Sequence, residues 1–140
     1  MKAYFTRRYK FSASHRLHCD TMSAEENRAT YGKCNNPHGH GHNYIVAVTV
    51  TGQIDPQTGM VCNLADLDAY VNQNIVSRYE LQNLNTLPEF QKVVPTSENL
   101  CIEIYDRIQA GFRAAALDQV RLEETTNNFF AYAGGRPPRD

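Results

Sequence analysis

His40-Gly41-His42-Asn43-Tyr44-Ile45-Val46-Ala47-Val48-Thr49-Val50-Thr51-Gly52-Gln53 is the stretch on which the reading of the fold turns. Tyr44, Val46, Val48 and Val50 share one parity, and a period of two is the mark of a strand with one buried face. His42 lies on that same face, so the strand runs from about His42 to Gln53, opened by His40-Gly41-His42. Residues two apart on a strand point the same way. Two imidazoles side by side on one face make two thirds of a metal site. Imidazole suits zinc, and three protein ligands with one open position is the catalytic arrangement.

The third ligand should come from a neighbouring strand. Toward the N-terminus, Ala3, Phe5, Tyr9, Phe11 and Ala13 alternate with Lys2, Thr6, Arg8, Lys10, Ser12 and Ser14, which gives a first strand with one apolar face. His15 continues the parity of that face. In an antiparallel pair the end of one strand lies beside the start of the next, so His15 is the candidate to join His40 and His42. The alternative is a set of surface or core histidines with no metal. All five histidines fall between positions 15 and 42. His18 and His38 are less well placed, and are expected to support the site or lie on the surface.

Between the two strands, Ser23-Ala24-Glu25-Glu26 is a capping box that starts a short helix at 24–31, with Gly32 as its exit. Residues 35–41 are a turn-rich approach to the second strand. Beyond Gln53, Ile54-Asp55-Pro56-Gln57-Thr58-Gly59 is a turn. A first long helix follows, capped by Asn63, with Leu64, Leu67, Val71 and Ile75 on one face. Thr96 or Ser97 caps a second, in which Leu100, Ile104, Ile108 and Phe112 recur every four residues. The chain then returns to strand, with Val120, Leu122 and Glu124 on one face. Asn127-Asn128 should turn it into a last strand, Phe129–Tyr132. The order β-β-α-α-β-β implies an α+β fold, an antiparallel sheet with two helices on one face. Residues 1–133 read as a single domain, and 134–140 as a disordered tail.

Composition narrows the function. The 140 residues carry 14 Lys+Arg against 15 Asp+Glu, a net charge of −1. That balance excludes a nucleic-acid binder working by bulk charge. No wholly apolar run is longer than Phe129–Ala133, far too short to span a bilayer. Met1–Arg8 is charged and leads into no apolar signal segment, so a cytoplasmic protein with no membrane partner is expected. The four cysteines form no CxxC pair, and reduced thiols are the expectation there.

Two further residues stand out. Cys34 lies among Lys33, Asn35 and Asn36, a polar setting unlike the apolar contexts of Cys62 and Cys101. A thiol beside a cation or a metal can act as base or nucleophile. It is also suited to be a fourth zinc ligand, which would close the site; the other reading of a cysteine, a small buried hydrophobe, fits Cys62 and Cys101 but not Cys34. Glu124 sits on the buried parity of its strand, where a carboxylate is costly unless paired. Either it waits for a ligand with N–H groups in a row, such as an aminopyrimidine ring, or it reaches solvent or pairs with Arg121 or Lys10.

Four blocks, taken in order, resemble the 6-pyruvoyl-tetrahydropterin synthase family: Phe11–Leu17, Tyr31–Tyr44, Ile54–Val61 and Glu124–Asn128. The family includes the pyruvoyl-type synthase and the bacterial 6-carboxytetrahydropterin synthase of queuosine biosynthesis. The block around Ser23–Asn27 and Cys34 is closer to the former. The resemblance implies the tunnelling fold, in which three subunits close a barrel and two trimers stack into a homohexamer. It implies Zn2+ on His15, His40 and His42, Cys34 as catalytic base, and Glu124 as the anchor of the pterin ring, helped by Thr96 and Ser97. The implied substrate is the small molecule 7,8-dihydroneopterin triphosphate. Lys10, Arg16, Arg28 and Lys33 are the basic candidates to receive its triphosphate. One departure matters. Where the family reads Leu-Asp-His, this chain has Tyr79-Glu80-Leu81. Glu80 stands for the aspartate as a catalytic residue, but Leu81 replaces the histidine of the proton relay. Besides the pyruvoyl-type lyase, the resemblance therefore leaves open a carboxytetrahydropterin synthase and a pterin-binding protein with little catalysis.

Overall fold

A computed structural model describes residues 1–139. Strand β1 (Lys2–His15) pairs antiparallel with β2 (His40–Gln53), β2 with β3 (Ala116–Thr125), and β3 with β4 (Asn128–Tyr132). The four strands form one sheet in the order β1-β2-β3-β4. Tyr9, Phe11, Ala13 and His15 are buried on β1, and Tyr44, Val46, Val48 and Val50 on β2. This is the face that the alternation marks out.

The helices cover that face because their apolar stripes can be removed from water only against it. Helix α1 (Ala24–Tyr31) lies in the β1–β2 connection and starts on a formed capping box, Ser23 with Glu26. Helix α2 (Leu64–Val71) is capped by Asn63, runs through a π-helical turn at Asn72–Val76 and ends in α3 (Ser77–Tyr79). The uninterrupted periodicity gave no sign of the π turn, which re-phases the helix so that Val71, Ile75 and Tyr79 are all buried. Helix α4 (Ser97–Gly111) takes Thr96 as its N-cap, the hydroxyl accepting from the Asn99 amide. Leu100, Cys101, Ile104, Tyr105 and Ile108 from α4 meet Val120 and Leu122 of β3 in one core. Phe11 stacks on Tyr44 with ring centroids 5.1 Å apart, and Tyr79 packs at 5.6 Å from Phe11.

Two details differ from the sequence reading. The last hairpin turns at 126–127, and Asn128 already belongs to β4. Residues 134–139, expected as disordered tail, make defined contacts: Arg136 donates to the Ala133 and Asp118 carbonyls, and Arg139 pairs with the Asp118 carboxylate. Asp140 lies outside the described residues. Strands β1 and β4 are the sheet's edges, and an open sheet with two edges fits closure by oligomerisation. No helix among the described residues is long and apolar enough to cross a membrane.

Candidate active site

The register of β1 and β2 sets His15 directly opposite His40, and Ala13 opposite His42. All four lie on the covered face at one end of the sheet. Ala13 is small, which leaves room beside it for the His42 ring. Gly39, at φ +72°, makes this strand opening possible: a Cβ there would meet the His15 carbonyl oxygen at 2.9 Å.

The three imidazoles meet pairwise at nearly right angles. Ring centroids are 4.9 Å apart for His15–His40, 4.9 Å for His15–His42 and 4.6 Å for His40–His42. His15 Nδ1 donates to the Pro95 carbonyl at 2.8 Å, a hydrogen bond that places the ring hydrogen there and leaves Nε2 with its lone pair. That Nε2 lies 3.2 Å from His40 Nε2. His42 Nε2 is buried without a hydrogen-bond partner among the described residues. Converging imidazole nitrogens, one oriented by a backbone carbonyl and another orphaned, are the donor set a divalent metal takes. Two ligand groupings overlap at His15. The donor atoms of His15, Cys34 and His40 lie within 4.8 Å of one another, and so do those of His15, His42 and Glu124. Burial holds the His15 and His42 imidazoles below their ordinary pKa, so both favour the neutral, ligating form.

Glu124 sits at a register shift between β3 and β4, on the face of Leu122. Such bulges re-aim a side chain. Its side chain is 13% exposed, with Oε1 3.5 Å from His42 Nε2. The Ser97 hydroxyl, at the start of α4, donates to its Oε2. Thr96, named with Ser97 from the sequence, is occupied as the helix cap. Lys10 is exposed and Arg121 lies under Phe129, its guanidinium 3.4 Å from the ring centroid, so neither makes an ion pair with Glu124. Cys34 is half-buried, and burial, with the nearby Glu124 charge, pushes its thiol above the usual value.

Cys34, His40, His42 and Glu124 line one cleft of about 890 Å³, together with Arg16, His18, Arg28 and Lys33. Glu80 and Leu81 do not line it. Glu80 Oε1 accepts from the Ser12 amide at 3.4 Å, and the Leu81 amide donates to the Ser12 carbonyl at 2.6 Å, so both lie along the free edge of β1. Leu81 adopts φ +58°, a left-handed conformation costly for a branched side chain, and is 81% exposed. His38 is exposed and off the cleft. The sequence reading missed Asn35. It is buried, and its amide holds the Leu17 carbonyl and the His18 ring; its only signal was adjacency to Cys34.

The fold and this cleft define a four-stranded α+β domain with a histidine–cysteine–carboxylate centre at one end of its sheet. The model of the family described as 6-pyruvoyl tetrahydropterin synthase matches residues 4–135, and the chain belongs to that family. The human 6-pyruvoyl tetrahydrobiopterin synthase is 48% identical over 134 residues, covering 95% of this chain and 92% of the human protein. Its counterpart in Drosophila melanogaster is 43% identical over 137 residues, covering 96% and 82% of the two chains. The structure of the Caenorhabditis elegans 6-pyruvoyl tetrahydropterin synthase superposes with a TM-score of 0.91 at 37% identity, over 96% of this chain and 97% of that one.

Proposed function

We propose that the protein is a zinc-dependent lyase of the 6-pyruvoyl-tetrahydropterin synthase type, acting on 7,8-dihydroneopterin triphosphate with elimination of triphosphate. The observation that carries this reading is that His40, His42, Cys34 and Glu124 line a single cleft, with the buried His15 within ligand distance of each of them. His15, His40 and His42 would hold Zn2+. Bound there, zinc polarises the hydroxyls of the substrate side chain and makes the adjacent C–H protons more acidic.

The remaining roles belong to the chain. The Glu124 carboxylate accepts the row of N–H groups along the aminopyrimidine edge, and Ser97 fixes its orientation. That contact points the side chain of the substrate at the histidines. Cys34 Sγ takes a proton from the side chain. A thiol pushed up by burial is a stronger base once ionised, and a cation close by offsets the cost of ionising it. Glu80 lies on the β1 edge, away from the cleft of its own chain, so any part it takes in proton transfer is exerted on the cleft of a neighbouring subunit in a closed barrel. A homohexamer, two stacked trimers, is the assembly we propose.

The test is incubation with 7,8-dihydroneopterin triphosphate and identification of the product. The pyruvoyl pterin with free triphosphate is expected. A carboxypterin with acetaldehyde, or pterin binding without turnover, would overturn the reading.

A further inference from the structure

The helix-free face of the sheet is not bare. Thr49 and Thr51 of β2 and Gln119 of β3 take the parity opposite to the core residues Val48, Val50 and Val120. All three are nevertheless buried, and so is Asp118 next to Gln119. Half of the eight buried polar residues among those described therefore fall in this one patch. The helices pack on the other face, and what reaches across this one is the C-terminal segment 134–139.

That segment has the parts of a strap. Gly134 and Gly135, at φ +68° and +88°, turn the chain back so that Ala133 bridges Arg136 antiparallel. Gly134 has no room for a side chain, since a Cβ there would meet the Tyr105 hydroxyl at 2.6 Å. Pro137 and Pro138 follow, stiff and without amide hydrogens to satisfy. On either side of them, Arg136 and Arg139 both reach the Asp118 carboxylate, at 3.5 and 3.2 Å. Asp118 lies at a register shift that leaves it no partner on β2, and its side chain is 3% exposed. A buried carboxylate needs its charge balanced. Among the described residues, both cations that pair with Asp118 come from this segment. Gln119 grips the backbone as well: its Oε1 accepts from the Arg139 amide at 2.6 Å, and its Nε2 donates to the Arg139 carbonyl at 3.2 Å. Arg139 then reaches β1. Its Nη2 donates to the Tyr4 hydroxyl at 2.6 Å, and its guanidinium lies 4.2 Å from the Tyr4 ring centroid. Tyr4 stands opposite Thr51, and Thr51 opposite Ala116, so the segment spans β3 to β1 across β2, about 10 Å.

We infer that residues 134–139 are a strap that latches onto Asp118 through Arg136 and Arg139 and ties β3 to the first residues of the β1 edge. Residues 136–139 lie beyond the 4–135 stretch that matches the family, so the latch is this chain's own addition to the domain. At the far end of the same strand, the Leu81 amide and the Gln82 carbonyl hydrogen-bond to Ser12 and Ser14. The exposed β1 edge is thus held at both ends, by the strap at its start and by the 81–82 segment at its finish. Tyr4 and His15 are about 36 Å apart along one strand, at about 3.3 Å per residue, so the strap docks independently of the cleft and of the pterin reading.

The test is amide hydrogen exchange, read by mass spectrometry on peptides from the start of β1 (residues 2–8), its end (11–15) and the β3 bulge (116–120). Four proteins are compared with the full chain: the chain ended after Gly135, Arg139→Gln, Asp118→Asn, and the last two substitutions combined. The point variants change half-exposed or shape-conserving positions, so they keep the test open if the shortened chain does not fold. Shortening the chain should speed exchange at the start of β1 and at the bulge by at least about tenfold, and Arg139→Gln should do the same at the start of β1. The end of β1 should stay within about twofold in both. The double variant should exchange no faster than the faster of its two single variants, because the arginine acts through the carboxylate. Exchange at the start of β1 unmoved in the shortened chain and in Arg139→Gln would overturn the strap. So would equal acceleration at both ends of β1, which marks a general loss of stability, or additive effects of Arg139→Gln and Asp118→Asn, which would separate the arginine from the latch.

Discussion

Replacing Glu124 by glutamine separates the two roles that its position allows. The side chain is 13% exposed and keeps its shape in the variant, so the fold is not put at risk. An ionised carboxylate offers about four lone-pair sites. Ser97 occupies one on Oε2, and Oε1 is 3.5 Å from His42 Nε2, too far for a hydrogen bond. Room remains for two N–H groups of a pterin ring. Glutamine turns one acceptor into a donor. If its amide group turns to Ser97, one charge-assisted bond becomes an ordinary one and the other loses its partner geometry. Charge-assisted bonds are worth roughly 1.5–3 kcal/mol and ordinary ones about 0.5–1.5 kcal/mol. The loss then comes to about 2.5–4.5 kcal/mol, a weakening of roughly sixtyfold to a thousandfold or more. Neopterin titration followed by fluorescence measures it, with zinc counted by elemental analysis in the same samples. Zinc should stay at its wild-type level, because three imidazoles remain. Pterin affinity within about threefold of wild type would reduce Glu124 to a structural strand residue. Zinc lost along with pterin would make Glu124 a metal ligand, through the grouping of His15, His42 and Glu124.

Other outcomes follow from the same geometry. Protein purified without added metal should carry about one zinc per chain by elemental analysis, and His40→Ala should lose it; retained zinc in that variant would remove the proposed site. Leu81→His should raise turnover of dihydroneopterin triphosphate, because a positioned acid–base group contributes about 10²–10⁴-fold. The gain should be partial, since Glu80 is one methylene longer than aspartate, and no gain in a fast wild type would show that another group moves the proton. Glu89 is desolvated, which alone would raise its pKa, yet hydrogen bonds from Arg78 and Tyr79 hold it at about 2, below the ordinary 4.5. Its contribution to stability is therefore complete above pH 4.5 and is lost as the pH falls toward 2. That contribution is at most about 3 kcal/mol. Urea titrations across that range should show a shallower acid limb for Glu89→Gln, and identical limbs would refute the assignment. Light scattering at micromolar concentration should give a hexamer, and a monomer would count against the closed barrel.

The strands, the helix caps and the parity of the site residues are legible in the order of residues along the chain. Period-two alternation names the buried face of β1, β2 and β3, and with it the inward direction of His15, His40, His42 and Glu124. Ser23-Ala24-Glu25-Glu26 and Thr96 are local signals, complete within one turn, so they can be read without the fold. What lay beyond it depends on partners distant along the chain. The pairing of His15 with Pro95 spans 80 positions, and that of Ser97 with Glu124 spans 27. Neither tautomer nor hydrogen-bond partner is encoded in a local pattern. Leu81 was legible as a missing imidazole, but its left-handed backbone and its place on the β1 edge were not. They arise from hydrogen bonds to Ser12 and Ser14 that only the packed strand provides. Asn35 is the plainest case. Its neighbours made it look like a turn residue, whereas burial against the 16–18 segment makes it the hinge on which Arg16 and His18 are set. Burial is a property of three-dimensional packing, and a polar residue in a polar stretch gives no sign of it.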